Sequence, residues 1–145
     1  MNRAPAITRQ QALARLLGGV ADDVDAYRAL LLLLEQQFDA ALRHHSARLG
    51  ELAAHIGAAL EPIEARRQQR VSLVTALLGA HAKMADVCAL LKGDTRARLE
   101  QHWLELEQLI AECKRRNVRT SQLLTTQYSI MQRVLHGEDQ IYAPA

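Results

Sequence analysis

The sequence predicts an all-α protein: an elongated antiparallel bundle of three long helices, the second kinked or broken near Pro62, with coiled-coil-like packing. Three observations predict it. Hydrophobic residues make up 49% of the chain and aromatic residues only 3%, so the apolar content is mostly leucine and alanine, which lose little side-chain freedom in a helix. No stretch keeps the strict apolar/polar alternation of a half-buried strand. Only three prolines occur, Pro5, Pro62 and Pro144, so long stretches are free of helix breakers. A chain of 145 residues is the size of one ordinary domain, expected here over 1–145.

The first helix is expected to begin near Arg9, because Thr8 and Gln11 have the spacing of a capping box. Its apolar positions run Leu13, Leu17, Val20, Val24, Tyr27, Leu31, Leu34, Phe38 and Ala41, in steps of four and three. That is a heptad seam. The phase is kept across Gly18-Gly19, which predicts one continuous helix, although Asp22 or Asp23 could cap a restarted one. Leu30, Leu32 and Leu33 widen the apolar stripe, so at least two neighbours should pack on this helix.

A second helix is expected from an N-cap at Ser46, with Leu49, Leu52, Ile56, Ala59 and Ile63 on one face. Pro62 removes a backbone donor and crowds the preceding turn, which predicts a kink or break between Gly57 and Pro62. Val71, Val74, Leu77, Leu78, Met84, Val87, Cys88 and Leu91 then carry helical periodicity to Leu91. Lys92-Gly93-Asp94 marks the clearest boundary: Gly93 suits a left-handed position and Asp94 the next N-cap. The third helix carries Leu99, Trp103, Leu106, Ile110, Cys113, Asn117, Thr120 and Leu124, and Gly137 is expected to close it. Residues 138–145 then form a short mobile tail.

Composition narrows the function classes. A formal net charge of +2 gives no ground for a strongly charged partner. The chain start has no apolar segment of signal-peptide type, and the run Leu30 to Leu34 is far too short to span a membrane; a cytoplasmic protein without membrane insertion is expected. Cys88 and Cys113 fall on packed helix positions and read as reduced core thiols. His44 and His45 are adjacent and point about 100° apart on a helix, and His55, His81, His102 and His136 have no partner set at ligand spacing. No metal site, no cofactor and no enzyme activity are expected. Arg66, Arg67 and Arg70, and Lys114, Arg115, Arg116 and Arg119, read as solvated helix faces partly paired with glutamates four residues away. Without interleaved aromatics they predict no nucleic-acid partner. Histidine phosphotransfer modules are also helical bundles, with Leu-Lys-Gly after the acceptor. Here His81 is followed by Ala82-Lys83-Met84 and falls near an apolar stripe, so it reads as a core-edge histidine.

One face asks for more than a bundle. After Asn117 and Thr120 turn the seam polar, the apolar positions of the last helix double: Leu123 and Leu124, then Tyr128, Ile130 and Met131, then Val134 and Leu135. Two adjacent stripes are wider than one packed neighbour needs. Either the stripes are the far end of the bundle core, or they receive a partner helix in a groove, with Met131 giving adaptable packing.

The order of short features resembles the flagellar export chaperone family FlgN over roughly Leu13 to Tyr142. The features are Glu35-Gln36-Gln37-Phe38, Arg66-Arg67, Trp103, Cys113-Lys114-Arg115-Arg116-Asn117, Leu123-Leu124, Val134-Leu135-His136-Gly137 and Ile141-Tyr142. The resemblance implies a type III secretion chaperone that needs no nucleotide. It would bind the C-terminal helices of hook–filament junction proteins, hold them unpolymerised, and deliver them to the cytoplasmic domain of the export-gate membrane protein. Carried over to this chain, the substrate-binding residues are Asn117, Leu123, Leu124, Tyr128, Met131, Val134 and Leu135, and Tyr142 is the export-gate docking residue. A homodimer that masks the apolar face is a further expectation. From another class, a helical scaffold would use the seam from Leu13 to Ala41 as a contact between copies.

Overall fold

The computed structural model describes residues 7–142, with side chains to residue 140. Four helices follow in order: α1 Arg9–Leu42, α2 Ser46–Leu78, α3 Met84–Cys88 and α4 Gly93–Tyr142. No strand occurs among the described residues. The first helix starts as the sequence dictates. Thr8 accepts from the Gln11 amide at 3.1 Å, and Gln11 accepts from the Thr8 amide at 2.9 Å, so two orphan donors are satisfied reciprocally. The helix runs unbroken through Gly18-Gly19 for 34 residues.

It ends in a reversal of three residues. The His45 amide reaches back to the Ala40 carbonyl at 3.0 Å and the His44 amide to Ala41 at 3.2 Å, the paired closure of a Schellman turn. His44 sits at φ 56°, a left-handed position that glycine or asparagine usually takes. The turn is too tight for a separate Ser46 cap. Ser46 is the first residue of α2, His45 precedes it, and no side-chain cap bond forms.

Helix α2 is not broken at Pro62; it spans 33 residues with the proline inside. Pro62 and Ala58, whose carbonyl loses its partner, both lie on the exposed side, where water can serve that carbonyl. Leu52 and Ile63 are buried against the core on the other side, and this packing outweighs the local cost of the proline. Where periodicity predicts helix to Leu91, the structure ends it at Leu78. Gly79 takes φ 95° and ψ 172°, a conformation essentially restricted to glycine. The chain then turns through residues 79–83 into the five-residue α3. Gly93 takes the expected left-handed φ, 61°, but it is itself the first residue of α4, so Asp94 lies in the first turn of that helix and not at its N-cap.

No neighbouring atom lies within 4 Å of where a Cβ at Gly79 would sit, so a substitution there meets only backbone strain. Gly79→Ala is expected to lower stability by about 1–3 kcal/mol. Gly50→Ala, in an ordinary helical conformation with open space around it, should raise it by about 0.4–1 kcal/mol. Urea unfolding of both variants checks the contrast, and equal effects would show that the α2 end is not held by Gly79.

Helix α1 packs against both α2 and α4, and α3 against α2 and α4. Cross-helix partners fix the directions. Asp23 meets Arg66 and Arg70 while Gln36 meets Arg48, so α1 and α2 run in opposite directions. Arg28 meets Glu105, Glu35 meets Arg119, and the Ala41 carbonyl meets Gln127, so α1 and α4 run in the same direction. The first core cluster gathers Ala12, Leu16, Val20 and Val24 with Leu73, Val74, Met84, Val87, Cys88, Leu99 and Leu106. A smaller one joins Leu30 and Leu34 to Ile63 and Cys113.

With helices on two sides, the buried line of α1 shifts from the single heptad seam. Ala12, Leu16, Leu30 and Ala40 are buried, whereas Leu13, Leu17, Tyr27, Leu31 and Phe38 are only half-buried between the two neighbours. The seam is filled within the chain, so it is not available as a contact between copies. Both cysteines are free and buried. Burial pushes the Cys88 and Cys113 thiols up from their ordinary value, which keeps them neutral.

The basic clusters are solvated faces only in part: Arg67 pairs with Glu64, and Arg115 and Arg116 with Glu112, along their own helices, whereas Arg66, Arg70, Arg116 and Arg119 also reach α1. Asp23 is 0% exposed and is held by Arg66 and by Arg70, the latter at 2.6 Å. Arg70 also lies 5.5 Å from the centre of the Trp103 ring, a cation–π distance. Asp23 therefore caps no restarted helix. It pins α2 to α1 and, through Arg70, lies beside α4. A second clasp ties α4 to α1: Glu35 meets Arg116, and meets Arg119 at 3.4 Å. Arg119 lies 3.6 Å from the centre of the Phe38 ring.

Candidate functional site

The α1-facing line of α4 runs through Leu106, Cys113, Thr120, Leu123 and Gln127. Leu106, Cys113 and Thr120 are buried, and Leu123 and Gln127 are half-buried. Thr120 is 3% exposed and its hydroxyl has no hydrogen-bond partner within the protein. The line ends at Gln127, whose amide donates to the Ala41 carbonyl at 2.9 Å. Helix α1 stops one residue later, at Leu42, and α2 begins at Ser46. Helix α4 goes on. Gly137 does not close it, and residues 138–142 continue the helix rather than forming a tail. At ~1.5 Å per residue, residues 128–142 carry α4 about 22 Å past this last contact.

The overhang keeps both apolar stripes. The inner one, Leu123, Ile130 and Val134, prolongs the line that faces α1. The outer one, Leu124, Tyr128, Met131 and Leu135, lies about 100° around the helix. Beyond Leu123, every large apolar residue to Leu135 is exposed, with Leu124 at 40%, Tyr128 at 60% and Val134 at 58%. In the isolated chain, then, the stripes are not the far end of the core. A contiguous exposed apolar surface of this kind marks an interaction site.

The residues carried over from the family resemblance fall as follows. Leu124, Tyr128, Met131, Val134 and Leu135 come together on the overhang, and Leu123 sits half-buried at its root. Asn117 is exposed and lies off the α1-facing line, one position from Arg116, so it is not a polar seam residue. Tyr142 is the last helical residue, and its side chain lies outside the described ones. Ile130 belongs with the exposed set although the resemblance does not name it; its spacing from Leu123 and Gln127 is the signal that places it. The Gln127 bond that ends the bundle has no signal in the sequence.

Other chemistry is sparse. Among the described residues no group of three His, Cys, Asp or Glu side chains lies close enough to hold a metal ion, and no helix is long and apolar enough to cross a membrane. His81 is exposed in the loop between α2 and α3, not at a core edge, because α2 ends before it. Exposure removes the objection of burial, but Leu-Lys-Gly is still missing after it. An open groove of about 680 Å³ between α3 and the start of α4 is lined by Met84, Cys88, Trp103 and Leu104, with Lys83 and Glu107 at its rim. Its lining also includes Arg96 and Glu100, which pair with each other at 2.6 Å along α4.

A family model described as "FlgN protein" matches residues 10–137, from the first turn of α1 to within a few residues of the end of α4. No curated protein and no solved structure matches the chain.

Proposed function

The chain belongs to the FlgN family, and on that premise we propose that it is a cytoplasmic type III export chaperone for hook–filament junction proteins. The observation that carries the reading is the overhang of α4. It presents two apolar stripes beyond the ends of α1 and α2, where nothing else of the described chain covers them.

The proposed mechanism is masking. A C-terminal helix of the substrate lies in line with α1, against Ile130 and Val134, and prolongs the α1–α4 seam by several turns. Tyr128, Met131 and Leu135 close over its side. Such a helix would otherwise expose its apolar face to other copies and polymerise early. A stable, specific complex buries roughly 800 Å² per partner, and a partner helix that also touches the ends of α1 and α2 can reach that area. Masking by packing alone needs no nucleotide and no chemistry, which agrees with a surface made of leucine, methionine, isoleucine and tyrosine.

Calorimetry against C-terminal helical fragments of candidate junction proteins tests the reading directly. Saturable one-to-one binding is expected, and no heat from any fragment would sink it. Docking at the export gate is assigned to Tyr142, which lies beyond the substrate-binding stripes and beyond the family match. Tyr142→Ala is expected to leave fragment binding unchanged while lowering export of the substrate several-fold. Loss of fragment binding in this variant would refute the division of roles.

A further inference from the structure

We propose that the substrate helix on the α4 overhang runs antiparallel to α4, with its free C-terminal carboxylate at the α1–α2 turn and its N-terminal end at Glu138 and Asp139. The proposal rests on the chaperone reading for the occupant; its own content is the direction of that helix and the groups that hold its two ends.

The two ends of the overhang carry opposite charge. At its root, the α1–α2 turn presents Arg43, His44, His45 and Arg48, all exposed, with no acidic residue from Leu42 to Arg48. The carboxylates that pair with the two arginines lie farther from the overhang. Asp39 meets Arg43 at 3.3 Å from one turn back along α1, and Glu51 meets Arg48 at 3.1 Å from the next turn of α2. Exposed pairs of this kind hold loosely, so both guanidiniums can turn to a second carboxylate. At the tip, Glu138 follows Val134 by four residues and Leu135 by three, which places it between the two apolar stripes. Asp139 is next to it, and both are exposed. Arg133 lies at mid-length, three residues from Ile130, and favours neither direction. His136 points away from both stripes and bonds Gln140 at 3.2 Å.

The helix ends of the bundle do not decide the direction. Helix α1 stops and α2 starts at the same turn, so a negative and a positive helix end offset each other there. The α1 end is also closed by its own bonds: the Ala40 and Ala41 carbonyls accept from His45 and His44, and Ala41 accepts from Gln127 as well. Side-chain charge is left to choose. A partner helix is itself polar, positive at its N-terminus and negative at its C-terminus, where a free carboxylate adds a full charge. Only the antiparallel direction brings unlike charges together at both ends. Complementarity of this kind sets orientation and register more than raw affinity. The length fits too. From Gln127 to Glu138 helix α4 rises about 16 Å, so a partner helix of roughly eleven to fourteen residues reaches from the turn to the tip.

The test uses the full chain and a synthetic copy of the junction-protein fragment that binds it in calorimetry, made with a free or an amidated C-terminus. Amidation is expected to weaken binding several-fold. Arg43→Gln with Arg48→Gln is expected to weaken the free-acid peptide as much and to leave the amide nearly unaffected. Direction is read by cross-linking under mild oxidation, with Leu42→Cys marking the root and Glu138→Cys the tip. The native thiols Cys88 and Cys113 are buried and do not compete. A peptide with cysteine as its last residue is expected to link many-fold more to the root variant, and one with cysteine as its first residue to the tip variant. The reverse preference, or equal yields, would overturn the direction. Equal affinity of acid and amide for the native chain would overturn the carboxylate contact. The two readings fail separately: a fragment that binds the other way round keeps the chaperone reading and refutes this proposal, whereas no binding by any fragment removes both.

Discussion

A chain carrying Leu124→Asp and Met131→Asp is expected to lose fragment binding altogether while its circular dichroism stays helical. Each apolar side chain buried at an interface contributes about 1.5–3 kcal/mol, and each aspartate must in addition be desolvated or leave a gap. Together the two changes remove more than ~4 kcal/mol, which is about a thousand-fold in affinity. The fold should tolerate them, because both positions are already exposed in the isolated chain and surface changes away from the core usually cost under about 0.5 kcal/mol. Calorimetry and circular dichroism on the same sample separate the outcomes. Unchanged binding would show that partners use another face. A collapse of helicity would show that the outer stripe is part of a core formed with another copy.

Asp23→Ala is expected to produce the largest stability loss of any single polar substitution in this chain, roughly 3–5 kcal/mol. The carboxylate is fully buried and ion-paired to Arg66 and Arg70. Their side chains are only 23% and 13% exposed. Removing Asp23 leaves two mostly buried cations facing each other with no counter-charge. Breaking such a group differs from replacing it. The combined change Asp23→Leu, Arg66→Met and Arg70→Met keeps the volume apolar and is expected to recover most of the loss, because the desolvation cost disappears with the charges. Urea unfolding gives both numbers. A loss below about 1 kcal/mol for Asp23→Ala would mean that water reaches the clasp, as it does at ordinary surface ion pairs.

Part of the candidate site is legible in the sequence alone. The doubling of apolar positions after Leu123 is a local pattern, and it correctly separates this stretch from the earlier part of the same helix. Its exposure was not legible, because the same pattern is equally compatible with a core. Exposure depends on where α1 and α2 stop relative to α4, which is a matter of register between helices distant in sequence. Asn117 shows the limit in the other direction. Counting steps of three and four from Cys113 puts it on the seam, but the buried line takes the next turn through Thr120 to Leu123 and Gln127, leaving Asn117 in solvent.

The sequence by itself determined the helical class, the start of α1 at its Thr8–Gln11 cap, the continuity across Gly18-Gly19, and the turn at Gly93. Each of these depends on interactions within a few residues: a cap, a period, a backbone angle that glycine alone takes easily. Tertiary structure decided the rest. It kept α2 whole through Pro62, because Leu52 and Ile63 anchor the helix on both sides of the proline while the lost bond faces water. It turned Asp23 from a candidate cap into the acceptor of two arginines more than forty residues away. It also let α4 outrun its neighbours, so that stripes which would be core beside a longer α1 become a surface open to partners. Local energies of about 1 kcal/mol per residue choose helix or turn. Only the packing of whole helices decides which of their faces are left uncovered.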